Sequence, residues 1–336
     1  MKRFIDLATF SREQILDLLK LAQALQDKPQ PRALANKVLG LVFFNPSLRT
    51  LASFQAGMAR LGGSSFVITP GQGTWQLETQ LHAIMKGAAA EHIREGIPVL
   101  ASYCDVLGVR AFADGKSLDS DLNETLFGKI DELCDKPLIN MESAMNHPCQ
   151  ALADWRTMDE LKIPTRARFV LSWAYHPKAL PLAVPAAAVH MAAMRGMEVV
   201  VLRPDGYALP EHVMEKARLA ARDAGGSVSE TSDRAAAMSG ASVLYAKEWG
   251  TTTYYGDVEA DSRLRADLSD WCVREPWFER ALPDAKLMHC LPVRRNVAVA
   301  DDILDGPRAV VKREAFNRLP VQMAVLHRML ADQTVY

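Results

Sequence analysis

Short apolar runs alternate with longer amphipathic stretches along most of the chain. Ser11-Arg12-Glu13-Gln14 reads as a capping box, with Ile15, Leu18, Leu19, Ala22 and Leu25 as the apolar stripe behind it. Residues 39–44 (LGLVFF) predict a buried strand, and a helix over about 50–61 stops at Gly62-Gly63. Further strands are predicted over 65–69, 106–110 and 137–141, with a Pro98-disturbed helix over 91–103. The second half repeats the alternation. Strands are predicted over 169–173, 198–202, 242–246 and 286–290, and helices over 183–195 and 210–224, closed by Gly196 and Gly225-Gly226. Strands separated by helices predict an α/β fold of doubly wound parallel sheets. A helix following His147-Pro148 within 141–159 bridges two domains, and a last helix covers about 321–330. The expected domains are 1–142 plus about 310–336, and about 143–309.

Composition narrows the class. The 336 residues fit about two domains, and 49% hydrophobic with 24% charged residues is ordinary for a globular protein. Lys plus Arg is 39 and Asp plus Glu is 40, a net charge of −1 that argues against a nucleic-acid partner. No long apolar stretch lacks a breaker, so no membrane span is expected. Asp6, Arg12 and Glu13 interrupt any leader pattern behind Lys2 and Arg3. Five scattered cysteines without a C-x-x-C pair fit a reducing, cytoplasmic setting, and no cofactor or metal site is expected.

Candidate chemistry gathers where parallel strands end, the usual place for a site. Ser47-Leu48-Arg49-Thr50 starts a helix after a strand. It reads either as a phosphate cradle of free N–H groups, hydroxyls and a guanidinium, or as an N-cap serine with a solvated arginine. His147-Pro148-Cys149-Gln150 puts Pro at the first helical position. His147 is then a neutral hydrogen-bond donor to a carbonyl oxygen or a simple cap, with Gln150 one turn on. His289-Cys290-Leu291-Pro292 can present backbone carbonyls to an amine, Arg294 points to an anion, and Cys290 is otherwise a small buried hydrophobe. Arg110, Glu142, His176 and Lys247 stand at other strand ends, and Trp75 follows Gly71-Gln72-Gly73. No G-x-G-x-x-G follows a strand, which disfavours a dinucleotide enzyme.

Together these segments resemble the aspartate/ornithine carbamoyltransferases. Ser47-Leu48-Arg49-Thr50 is similar to the family's Ser-Thr-Arg-Thr loop, His147-Pro148-Cys149-Gln150 to its His-Pro-x-Gln, and His289-Cys290-Leu291-Pro292 to the ornithine-type His-Cys-Leu-Pro. Tyr245-Ala246-Lys247-Glu248-Trp249-Gly250 stands where ordinary ornithine enzymes carry Ser-Met-Gly, and the chain instead resembles the N-acylornithine subgroup. That resemblance implies two α/β domains, trimers with sites between subunits, and a Pro-rich loop over 177–185 that threads a knot. It implies carbamoyl transfer from carbamoyl phosphate to the δ-amine of an acylornithine, in arginine biosynthesis, without metal or covalent intermediate.

Carried over residue by residue, Ser47, Leu48, Arg49, Thr50 and Trp75 hold the phosphate, Trp75 from a neighbouring subunit. Arg110 and His147 polarise the carbonyl. Gln150 and the Cys290 and Leu291 carbonyls bind the carbamoyl NH2. Arg318 and Arg294 complete the anion site, and Glu142, His176, Lys247 and again Arg294 grip the acylornithine. The subgroup separates acetyl from succinyl substrates at the residue before a Glu-His pair, Glu in the first and Pro in the second. Here Ala90 precedes Glu91-His92. Without a Glu there to repel a terminal carboxylate, N-succinyl-L-ornithine is expected over N-acetyl-L-ornithine. Leu51 replaces an Arg usual in the family, which keeps a non-catalytic ligand-binding homologue in view.

Overall fold

A computed structural model describes residues 1–331. The chain divides into two compact units. The first holds Met1–Asp114, Asp119–Cys149 and 318–331; the second holds Gly115–Leu118 and Gln150–Asn317. The divisions fall inside the helices Pro148–Glu160 and Val311–Leu330, a few residues beyond the expected 142 and about 310.

The first unit contains strands β1 (Arg3–Phe4), β2 (Val38–Phe43), β3 (Ser64–Ile68), β4 (Leu77–Glu78), β5 (Glu91–His92), β6 (Val106–Arg110) and β7 (Leu138–Glu142). Five of them form a parallel sheet in the order β1-β7-β6-β2-β3, while β4 and β5 pair as a separate parallel ribbon. The second unit contains β8 (Arg168–Trp173), β9 (Glu198–Leu202), β10 (Ser227–Thr231), β11 (Ala241–Lys247) and β12 (Lys286–Met288), ordered β10-β9-β8-β11-β12 and again all parallel. The central strands β6, β7 and β11 are buried along their whole length, as near-continuous apolar runs covered on both faces must be.

Each sheet winds outward in two directions from a central pair of strands. In the first unit the order reverses between β2 and β6, and in the second between β8 and β11. Ligands of doubly wound folds bind outside the carboxyl ends of the strands at such a reversal. β2 runs into residues 44–50 and β6 ends on Arg110; β8 runs toward His176 and β11 ends on Lys247. The sheet topology therefore points to the same residues as the motifs.

Several elements differ from the sequence reading. Glu91 and His92 are extended rather than helical: they pair with Leu77 and Glu78, and His92 caps the helix Ile93–Ser102 by accepting from Arg94 N at 3.0 Å. The final helix begins at Val311, ten positions before the predicted 321, and runs through Pro320. β12 ends at Met288, short of the predicted Cys290. β10 escaped prediction because it lies at the sheet edge and its sequence, SVSET, is mostly polar. The capping box at Ser11 and Gln14 forms both of its bonds. Gly196 and Gly225 end their helices with φ of 90° and 75°, a backbone state that suits glycine. No helix among the described residues is long and apolar enough to cross a membrane.

Candidate active site

The first unit gathers a cationic cluster at its switch point. Ser47 caps the helix Leu48–Arg60, its hydroxyl accepting from Thr50 N at 3.3 Å, so the cap reading holds for this side chain. Arg49 is half-buried and Thr50 is buried. Thr50 Oγ1 accepts from Arg318 Nη2 at 2.8 Å, which fastens the final helix to the 47–50 turn. Leu48 points outward, 81% exposed, leaving its backbone as its contribution to the turn. Leu51 is half-buried on the same helix.

Arg110 and Glu142 end adjacent strands. The β6–β7 register slips at this point: Val109 pairs with Asn140, but Arg110 pairs with Glu142. Skipping Met141 brings the Glu142 carboxylate onto Arg110 Nη1, a buried ion pair. Glu142 Oε2 also lies 3.3 Å from His147 Nε2. Glu142, expected among the acylornithine ligands, thus stands with the two groups expected to polarise a carbonyl. Arg110 Nε and His147 Nδ1 have no hydrogen-bond partner among the described residues. Burial, then the charges of Arg318, Arg110 and Arg49, holds the His147 imidazole well below its ordinary value, so it is neutral. A neutral ring that gives its Nε2 proton to Glu142 keeps Nδ1 as an acceptor, and Arg110 Nε is then the better donor to a carbonyl oxygen. Burial also pulls Arg318 down from its ordinary value and pushes the Cys149 thiol up to about 12, which removes Cys149 as a nucleophile.

The ribbon carries the remaining candidates of this unit. Trp75 is 61% exposed, and its indole N–H donates to Glu91 Oε2 at 2.7 Å. His92 Nε2 lies 2.9 Å from Gln80 O and anchors the same ribbon. Ala90, exposed, immediately precedes β5 beside this Trp75–Glu91 link.

The second unit builds a different cluster. His176 Nε2 accepts from Arg294 Nε at 2.9 Å, and its Nδ1 lies 2.8 Å from Lys178 O. A δ-protonated neutral ring satisfies both bonds. Burial, with Arg294 and Lys247 nearby, lowers the His176 value in agreement. Lys247 is buried and donates to Glu248 O and Glu248 Oε2, each at 3.0 Å. Glu248 also faces His289 Nε2 at 3.2 Å, and against its burial the Lys247 ammonium and the hydrogen bonds from Lys247 and His289 hold the carboxyl far below the usual range. His289 Nδ1 accepts from Leu291 N at 2.9 Å, which places the ring proton on Nε2. Gln150 Nε2 donates to Asp154 Oδ1 at 2.8 Å and to Glu314 Oε1 at 3.2 Å. Cys290 is buried and Leu291 takes a positive φ of 57°.

Asp154 and Glu314 were not singled out by the sequence, and Glu248 and His289 stood within quoted motifs without a role of their own. One signal existed for Asp154, which lies four residues after Gln150 on one helix face. The bonds of Glu248 and Glu314 join residues 41 and 164 positions apart, beyond local pattern. Among the described residues no group of three or more His, Cys, Asp or Glu side chains could hold a metal ion.

Residues 2–160 match the carbamoyl-phosphate-binding domain of aspartate/ornithine carbamoyltransferases, and residues 184–329 match the Asp/Orn-binding domain of the same family. The chain belongs to the aspartate/ornithine carbamoyltransferase family. This carbamoyltransferase is 36% identical over 337 residues to the N-acetylornithine carbamoyltransferase of Xanthomonas campestris pv. campestris, covering 99% of this chain and 98% of the relative. It is 37% identical over 299 residues to the N-succinylornithine carbamoyltransferase of Bacteroides fragilis, covering 88% of each. Among solved structures, a Glu-to-Ala mutant of N-acetyl-L-ornithine transcarbamylase, in complex with carbamyl phosphate and N-succinyl-L-norvaline, matches with a TM-score of 0.94 at 36% identity, over 98% of this chain and 100% of that one. Arg49, Arg110, Glu142 and His147 lie in the stretch matched to carbamoyl-phosphate binding; Lys247, Glu248, His289, Arg294 and also Arg318 lie in the stretch matched to Asp/Orn binding, and His176 falls between the two.

Proposed function

We propose that this carbamoyltransferase moves the carbamoyl group of carbamoyl phosphate to the δ-amine of N-succinyl-L-ornithine, giving N-succinyl-L-citrulline and phosphate, in arginine biosynthesis. The observation that carries the transfer is the gathering of Arg49, Arg110 and Arg318 around neutral His147 and Thr50 at a switch point. Ser47, the Leu48 backbone, Arg49, Thr50 and Arg318 would hold the phosphate group, and Trp75 would reach the site of a neighbouring copy in a homotrimer. Arg110, steadied by Glu142, would stabilise the carbonyl oxygen as it gains charge, with His147 beside it. Gln150 and the Cys290 and Leu291 carbonyls would accept from the carbamoyl NH2. His176, Lys247 and Arg294 would grip the acylornithine, Lys247 at a carboxylate. The amine nitrogen bonds to the carbonyl carbon, the bond from that carbon to the phosphate oxygen breaks, and the departing phosphate takes the amine proton. Holding two reactants together would supply much of the rate.

The acyl group is read from Ala90. A small neutral residue leaves room for a terminal carboxylate that a Glu would repel. The Glu-to-Ala mutant of the acetylornithine enzyme in complex with N-succinyl-L-norvaline supports this, on the reading that Ala90 stands where that Glu was replaced. The N-acetyl reading is favoured by the fuller coverage of the Xanthomonas relative.

Ureido-product formation with N-succinyl-, N-acetyl- and free L-ornithine in parallel tests both readings. Turnover confined to the succinyl acceptor, reversed toward acetyl in Ala90→Glu, is expected. Preference for acetyl by the unmodified protein would remove Ala90 as the determinant. No turnover by folded protein would leave the ligand-binding reading raised by Leu51. A monomeric mass by light scattering would overturn the trimer.

A further inference from the structure

Gln150 and the 289–291 segment are separate in sequence, yet one buried carboxyl group holds both. Glu314 Oε1 accepts from Gln150 Nε2 at 3.2 Å, and Glu314 Oε2 accepts from His289 N at 2.9 Å. Glu314 and His289 are fully buried, and Gln150 and Asp154 nearly so. The second N–H of the Gln150 amide goes to Asp154 Oδ1 at 2.8 Å. With both amide hydrogens directed at carboxyl oxygens, the orientation of the amide is fixed and Oε1 is its acceptor end. The 289–291 segment is fixed by three bonds. Its backbone is tied at His289 N to Glu314, its ring at Nε2 to Glu248, and Leu291 N is tied back to His289 Nδ1. Leu291 sits at a φ of 57°, a region that residues with side chains seldom enter unless held there.

We propose that Glu314, supported by Asp154, is a positioning residue for the carbamoyl amide, because it holds in register the two groups that accept the amide's N–H bonds, Gln150 Oε1 and the Leu291 carbonyl. This rests on the proposed carbamoyl transfer and goes beyond it. Neither acid has to touch substrate. Burial, then the nearby Asp154 carboxyl, raises Glu314 well above the ordinary value, so Glu314 keeps its proton. The acceptors it holds keep a fixed orientation.

Acetyl phosphate tests this directly, since it replaces the carbamoyl NH2 with a methyl group and keeps the phosphate. A site built to accept N–H bonds rejects an analogue lacking them, and we expect the unmodified enzyme to bind carbamoyl phosphate at least about 100-fold more tightly than acetyl phosphate. Glu314→Ala should collapse that ratio by about 10-fold or more while leaving inorganic phosphate affinity in place. Glu314→Gln retains an oxygen for His289 N but sets an NH2 against the Gln150 amide, so it should restore only part of the ratio, through the 289–291 segment. Asp154→Ala gives a second reading of the same ratio should Glu314→Ala not fold. Met214→Ala, a buried change on the helix Glu211–Ala224, should lower the melting temperature and leave the ratio unmoved. An undiminished ratio in folded Glu314→Ala and Asp154→Ala would overturn the positioning role and leave the transfer reading standing. An unmodified protein that turns over no acylornithine overturns the transfer reading itself.

Discussion

The two units share an architecture and differ in how they treat charge. Each is a doubly wound parallel sheet whose strand order reverses beside the candidate residues. In the first unit the switch point gathers three guanidiniums, Arg49, Arg110 and Arg318, and a neutral histidine, with Glu142 paired to Arg110. In the second it gathers three buried carboxyl groups, Asp154, Glu248 and Glu314, braced by Lys247, His289 and Gln150. A cluster of like cations at strand ends is costly to assemble and is relieved by an anion. A braced carboxylate network serves to hold other groups still. One fold can therefore supply a binding site for charge in one place and a rigid support in another.

The largest expected effect breaks the first cluster. Arg110→Met removes the donor proposed for the carbonyl oxygen and leaves the buried Glu142 carboxylate with its His147 contact alone. Turnover should fall by about 10²–10³-fold, and loss of one partner of a buried pair should cost about 3–5 kcal/mol in a urea melt. Near-normal turnover would dissociate the cluster from catalysis. The matching change in the second unit is Lys247→Met. Glu248 keeps its His289 contact, as Glu142 keeps His147, and the stability loss should be about 2–3 kcal/mol. The acylornithine KM should rise about 10-fold or more, with carbamoyl phosphate affinity unchanged. A rise confined to the carbamoyl phosphate KM would reverse the division of labour.

The pH dependence of stability separates the units by sign. His147 is held well below its ordinary value of 6.5, so below that pH the unfolded chain binds a proton that the folded chain refuses. Stability from this group is present above about pH 6.5 and is lost as pH falls. Glu314 is held well above its ordinary 4.5, so the folded chain keeps a proton that the unfolded chain releases. Its contribution is present below about pH 4.5 and is lost as pH rises toward the folded value. Denaturant melts across pH 4–8 should therefore show His147→Gln flattening the loss on acidification and Glu314→Gln flattening the loss on alkalinisation. Equal effects of both variants at every pH would show that neither group titrates differently on folding.

The first unit was far more legible in sequence than the second. Its candidate residues lie in contiguous motifs at strand ends, 47–50, Arg110 and His147, where an apolar run switches to polar residues within one or two positions. Arg318 entered through family resemblance alone, and the bond to Thr50 spans 268 positions. The strand ends Lys247 and His176 were readable in the same way. Asp154 and Glu314 were not, and Glu248 and His289 were quoted in motifs without a role, because a buried polar group is recognised by its partners and most of those partners are distant in sequence. Glu314 lies within 311–320, the ten positions of the last helix that the sequence reading left out. β10 was missed for the opposite reason: an edge strand with a polar sequence carries no apolar signal.

The smallest predicted effect compares one helix cap from each unit. Ser47 caps Leu48–Arg60 by accepting from Thr50 N, and Asp233 caps Arg234–Met238 by accepting from Ala235 N and Ala236 N at 2.9 and 3.1 Å. Replacing either with Ala removes one cap and should cost about 1 kcal/mol. Ser47, however, also belongs to the turn that would hold phosphate, where its backbone and hydroxyl lie beside Arg49 and Thr50. Ser47→Ala should raise the carbamoyl phosphate KM about 3–10-fold in addition, the scale of one hydrogen bond, while Asp233→Ala leaves both substrate constants alone. If the two variants lose stability alike and neither changes KM, Ser47 is a cap and nothing more, and the anion-binding reading of the 47–50 turn must rest on Arg49, Thr50 and its backbone.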